Sequence, residues 1–203
     1  MSALDAPTAA LVRLAAAIAT GNGQRLRIRA EEAVAAAVPV LWGDELVLQS
    51  VLMVGYPRAL AAAQAWREQT GGSAAALEDG GDWSLAAEWR RRGEETCRVV
   101  YGPNYDKLRE NVARLHPALD AWMVAEGYGR TLSRPGLDLA RRELCVIAQV
   151  MVLGAERQLH SHLRGARNAG ATDAVIEQAL DEASTEADPA AIAMARDLWS
   201  RIR

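Results

Sequence analysis

The chain has only two cysteines in 203 residues, Cys97 and Cys145, and they form neither a CxxC pair nor a metal-ligand pattern. Free thiols in a reducing compartment are expected over a disulfide between them. Excess positive charge is also lacking. Lys and Arg number 23 against 26 Asp and Glu, giving a formal net charge of -3, so no global field gathers nucleic acid or an anionic membrane. The arginines are interspersed with glutamates, as on solvated helix faces. The N-terminal stretch MSALDAPTAALVRLAAAIATG has no basic opening: it presents Asp5 first, and Arg13 interrupts its apolar run. That argues against a signal peptide. No stretch reads as a membrane span, so a cytoplasmic protein without membrane or nucleic-acid partners is expected.

Sustained period-two alternation is absent too, and the fold is expected to be all-α. ALVRLAAAIATG, AEEAVAAAVP and YDKLRENVARLHPALDAWMVAEG carry apolar residues at three- and four-residue intervals. Abundant alanine favours helix and lets helices approach closely. EQTGGSAAALEDGGDW, with two Gly-Gly pairs and little apolar content, breaks the pattern as a linker or exposed loop. Leu11, Ala15, Gly21, Leu26, Ala33 and Trp66 recur 133 residues later as Leu144, Ala148, Gly154, Leu159, Ala166 and Trp199. A single-residue adjustment brings Glu45 onto Glu177 and Leu48 onto Leu180. This reads as a degenerate duplication, Leu11–Trp66 and Leu144–Trp199. The expected organisation is an N-terminal degenerate repeat over 1–67, a linker over 68–82, and a second repeat over 83–203 that holds the site.

RQLHSHLRGARNAG (157–170) contains two of the three histidines. Before it, Asp138 is a plausible N-cap for a helix running to about Leu153, apolar on every side from Leu144 onward. Gly154 marks a turn, and a second helix starts near Ala155 or Glu156 and stops at Gly170, with Thr172 capping the next. On the second helix His160 projects with Arg164 and Arg167, whereas His162 lies at the edge of the apolar stripe of Leu159, Leu163 and Ala166. Histidines two residues apart do not grip one metal ion as an i, i+4 pair does. In an antiparallel pair of helices, Glu143 and His162 lie roughly 16 and 12 Å from the Gly154 turn at about 1.5 Å per residue, so they stand at similar levels. A partly desolvated carboxylate facing an imidazole suits proton transfer near neutral pH. The plainer alternative is a core-edge histidine, with Glu143 paired to Arg142 or Arg164. Arg29 occupies the place of His162 in the first repeat, which suggests that repeat is structural.

The elements GRTLSRPGLD, REL, HLRGARNAG and the helix after Thr172 resemble the carboxymuconolactone decarboxylase and alkyl hydroperoxidase D superfamily, on the decarboxylase side. RRGEETCRVVYG resembles that branch's N-terminal helix, and LVLQSVLMVGYPRALAAA is similar to the family's closing segment. The resemblance implies a duplicated all-α fold, with His162 as the active-site histidine and Glu143 as its proton-relay partner. The hydroperoxidase branch carries a redox CxxC where this chain has Ala155 and Gln158, so a dithiol cycle is lost at this site. The function so implied is decarboxylase-type acid-base chemistry on a small carboxylate or lactone, with Arg142 or Arg164 holding the carboxylate and neither metal nor organic cofactor required. Two alternatives stand beside it. One is a redox protein using a thiol outside any CxxC, for which Cys97 in its polar setting beside Arg98 is the better candidate. The other is a non-catalytic oligomeric binding protein; whether Glu143 and His162 line a solvent-reachable pocket separates it from an enzyme. Two-repeat relatives imply a homotrimer, with a hexamer as the runner-up.

Overall fold

A computed structural model describes residues 3–72, 78 and 80–203, and among these residues there are helices and no strands. Asp5 starts α1 (Ala6–Thr20): its Oδ1 accepts from the Thr8 amide at 2.7 Å, and Gly21 ends the helix at φ 71°. Asp138 starts α7 (Leu139–Val152) in the same way, accepting from the Arg141 amide, and Gly154 supplies the left-handed turn after it. Arg141 ties the two starts together through Asp138, Asp5 and Thr8 Oγ1. These two helices are the centre of the core, where Leu11, Leu14, Ile18, Leu144, Ile147 and Met151 are fully buried. Each such side chain contributes about 1.5–3 kcal/mol by leaving water.

Around them lie α2 (Gly23–Ala35), α3 (Val40–Thr70), α8 (Glu156–Asn168), α9 (Asp173–Ser184) and α10 (Pro189–Ile202). By length and composition α3 is apolar enough to cross a membrane, which corrects the expectation that no stretch reads so. One such helix is weak evidence, because core helices pass the same test. Here α3 is broken at Gly55 (φ 71°, ψ 172°), two residues before Pro57, so it works as two segments. The segment after the break carries Trp66, whose indole donates to Asp44 at 3.0 Å. Likewise Trp199 on α10 donates to Glu177 on α9 at 3.1 Å. Asp44 and Trp66 stand 133 residues before Glu177 and Trp199.

The expected linker 68–82 begins inside α3, whose last turn includes Glu68 and Thr70; residues 73–77 and 79 lie outside the described residues. Glu78 is tied to Arg92 and to the Trp89 indole, and Asp82 caps a 3-10 turn. Next come α4 (Ala86–Tyr101), α5 (Tyr105–Leu115) and α6 (Pro117–Trp122), then a ten-residue π-helix, Met123–Leu132. His116 ends α5 and caps α6 by accepting from the Ala118 amide. The π-helix and α4 touch backbone to backbone: a Cβ on Gly93 would collide with Val124 O, and one on Gly129 with Trp89 O. Glycine is required at both positions because no side chain fits between the two strands of backbone.

Candidate functional site

Glu143 and His162 meet. The carboxylate Oε2 lies 2.8 Å from His162 Nδ1, at the crossing of α7 and α8. Glu143 is fully buried, and His162 keeps 6% of its surface. The contact is possible because the α8 residue one turn after His162 is glycine. A Cβ on Gly165 would sit 2.6 Å from Glu143 Oε2 and 2.7 Å from Val100 Cγ1 on α4. Three helices therefore converge on one carboxylate. With Nδ1–H facing Oε2, the ring is fixed in orientation and tautomer and Nε2 is left for a reactant. No described residue pairs with Nε2, and unlike Glu143 Oε1 it is not fully enclosed. Glu143 Oε1 is buried with no hydrogen-bond partner, a costly arrangement for a carboxylate oxygen unless something else meets it.

The rest of the wall comes from α4 and the π-helix. Cys97, Val100 and Tyr101 share one face of α4, and Tyr128 comes from the π-helix. Tyr101 and Tyr128 stack edge to face with centroids 6.0 Å apart. Burial pushes the Tyr101 hydroxyl up to about 12 and Tyr128 well above the phenol range; the negative charge of Glu143 adds to both. Both are held neutral, and the two hydroxyls pair with each other. Extended π-helical turns are uncommon and often occur at functional sites.

The other residues singled out in the sequence fall elsewhere. Arg142 does not face this site. Its guanidinium is completely buried, bonded to Glu45 Oε2 at 2.8 Å and to the carbonyls of Leu137 and Arg134. One residue along an α-helix turns the side chain by about 100°, which sends Arg142 to α3 and Glu143 to α8. Arg134 shares Glu45, so one carboxylate serves two buried arginines. Arg164 is exposed on α8, beside the half-buried His160. Cys97 is fully buried, and burial pushes its thiol up to about 12. Arg98 beside it turns away to cover the Tyr105 ring at 4.4 Å. Cys145 is equally buried and its thiol likewise pushed up, and the two thiols are free. A thiol so placed is a poor nucleophile. Among the described residues no three of His, Cys, Asp and Glu gather as a metal ion requires.

Residues 117–198, from α6 into α10, match the model of the carboxymuconolactone decarboxylase family. Over these residues, less than half of the chain, the sequence is similar to that family. The match includes Glu143, Gly165, His162 and Tyr128, while Cys97, Val100 and Tyr101 lie before it. No curated protein matches the sequence. The all-helical architecture agrees with the carboxymuconolactone decarboxylase and alkyl hydroperoxidase D-like fold, and the missing CxxC separates this site from dithiol members. Sequence reasoning passed over Gly165. A glycine inside a helix costs about 1 kcal/mol relative to alanine, and Gly165 carried that signal three residues after His162. Tyr128, in WMVAEGYGR with Trp122 and Met123, was open to two readings, a pocket wall or the core position that aromatics at helical spacing more often take.

Proposed function

We propose that the protein is a decarboxylase-type enzyme acting on a small lactone or carboxylate, with His162 as proton donor and Glu143 as the group that orients and recharges it. The observation that carries this reading is the 2.8 Å contact between Glu143 Oε2 and His162 Nδ1, with Nε2 left unpaired. In the reaction the bond to the carboxyl carbon breaks, CO2 leaves, and its electron pair remains on the substrate as an enolate. Nε2 of the imidazolium delivers a proton to the substrate carbon that has lost CO2, and the imidazole regains one from solvent, relayed by Glu143. The resemblance requires no metal or organic cofactor for this chemistry.

One observation favours a second reading, a non-catalytic oligomeric protein of the same fold: the pair is almost sealed, and four surface clefts among the described residues are lined by neither residue. Cysteine redox chemistry, the third reading, is disfavoured by the burial of both thiols. The same proposal takes the first half of the chain as a degenerate copy of the second. Supporting that are the matched Asp5 and Asp138 caps, the Gly21 and Gly154 turns and the Trp66 and Trp199 hydrogen bonds. In that alignment Arg29 replaces His162 and is bound to Glu186 at 2.7 Å, which leaves one acid-base site per chain. The deciding experiment follows γ-carboxymuconolactone by loss of its absorbance. Turnover by the wild type, abolished in a folded His162→Ala variant, is expected. Turnover by neither removes decarboxylation of that lactone and favours the binding reading; turnover unaffected by the substitution refutes the role of His162.

A further inference from the structure

We infer that the cleft between α8 and the end of α4, about 440 Å³ in volume, is a binding site for a small organic carboxylate, with Arg164 and His160 as its anion receptors. The inference goes beyond the chemistry proposed for His162 and concerns binding alone. No acidic side chain lines the cleft, although the chain as a whole is acidic. His160, Arg164 and Arg167 all reach it from α8. The acids within reach of the neighbouring arginines are already taken: Asp173 holds Arg167 at 3.0 Å, and Asp197 holds Arg201. Arg167 is fixed a second time by the Ile202 carbonyl at 2.9 Å. The Arg164 side chain, by contrast, has no hydrogen bond or ion pair among the described residues, and neither does the His160 ring. An arginine in an acid-free cleft with its planar fork unspent is suited to take a carboxylate through two parallel hydrogen bonds.

The rest of the lining fixes the class of ligand. Tyr101, Pro103 and Ile202 give an apolar wall, so the partner is an anion with an apolar body rather than an inorganic ion. Asn168 is held in place by donating to the Val100 carbonyl at 2.9 Å, which leaves its side-chain oxygen free to accept. The cleft and the buried pair share α4: Val100 lines the cleft and also comes within contact of the point where Gly165 meets Glu143. A carboxylate held here stands one side chain away from the carboxylate of the candidate site.

The test is titration of the folded protein with benzoate, followed by NMR of the histidine rings and the asparagine side-chain amides. Benzamide, of similar shape and uncharged, and inorganic phosphate are run in parallel. Benzoate is expected to shift His160 and Asn168 saturably with a Kd of about millimolar. Arg164→Ala is expected to weaken it about tenfold or more and Arg164→Lys to weaken it less. Benzamide should leave these signals in place. Arg164 is exposed, so folding is not at stake, and circular dichroism of each variant confirms it. Equal binding of benzamide, benzoate binding that ignores Arg164→Ala, phosphate binding without benzoate binding, or no benzoate shifts at His160 would each overturn the assignment. None of these outcomes depends on turnover by His162.

Discussion

Gly165→Ala isolates the geometry that brings Glu143 and His162 together. The added methyl would lie 2.6 Å from Glu143 Oε2 and 2.7 Å from Val100 Cγ1, both well inside the roughly 3.5–4.0 Å at which such atoms rest. Either α8 moves off α4 and α7, or the carboxylate swings away from His162. Swinging away forfeits a hydrogen bond of 2.8 Å in a place where Oε1 already has no partner. Leaving a buried polar group unsatisfied costs about 1–3 kcal/mol and more for a charged one, whereas alanine regains about 1 kcal/mol of helix propensity. The expected net loss is about 0–2 kcal/mol, and more where the carboxylate stays charged, with a fall in Tm of about 2–4 °C for each kcal/mol in a chain of this size. Denaturant unfolding measures the first quantity, and the nitrogen shifts of the His162 ring report whether Nδ1 has lost its carboxylate. A Gly165→Ala protein that gains stability and keeps the wild-type ring shifts would refute the account of this crossing.

Other consequences are as direct. Since burial pushes both thiols up to about 12 from an ordinary value of 9.0, the folded protein keeps protons between pH 9 and 12 that the unfolded chain releases. Stability should therefore fall as pH rises through that window, by about 1.4 kcal/mol per pH unit for each thiol, as urea unfolding at successive pH values would record; stability unchanged up to pH 11 contradicts this. At pH 8 a thiol reagent should label neither cysteine in the native protein and both after denaturation. Glu45→Gln leaves Arg134 and Arg142 buried without their shared carboxylate, and a loss of about 3–5 kcal/mol is expected; a loss below 1 kcal/mol in chemical denaturation would show that the arginines find other partners. A trimer is expected by light scattering, at three times 21.9 kDa. The exposed Tyr56, Leu60, Leu119 and Trp122 are natural places for contact, and a monomer at micromolar concentration would remove that expectation.

Much of the site could be read from residue order because it depends on local signals. Asp138, Gly154 and Thr172 mark their helix ends through hydrogen bonds to nearby backbone, and the structure has them in those roles. The level of Glu143 against His162 follows from counting residues on either side of one turn. What sequence did not disclose depends on distant partners. Arg142 next to Glu143 looked like a second polar group of one site, but its Glu45 partner lies 97 residues away. The π-helix was equally hidden, since its residues have the spacing of an ordinary amphipathic helix. Its register is set by the close approach of Gly129 to α4. His160 appeared only as a surface histidine because the cleft beside it is closed by α4, whose position no local pattern records.

The glycine contact between α4 and the π-helix has a mechanical consequence. Side chains yield by changing rotamer, but two backbones in direct touch have none to change. Cys97, Val100, Tyr101 and Tyr128 are thus mounted on one stiff plate. The plate is bounded by turns that include Gly102 at φ 52° and Gly136 at φ 97°. Breathing that admits a molecule to Glu143 then belongs to the seam between this plate and α8, where Val100, Gly165 and the Asn168 clasp meet. Stiffness on one side of the seam concentrates motion on the other.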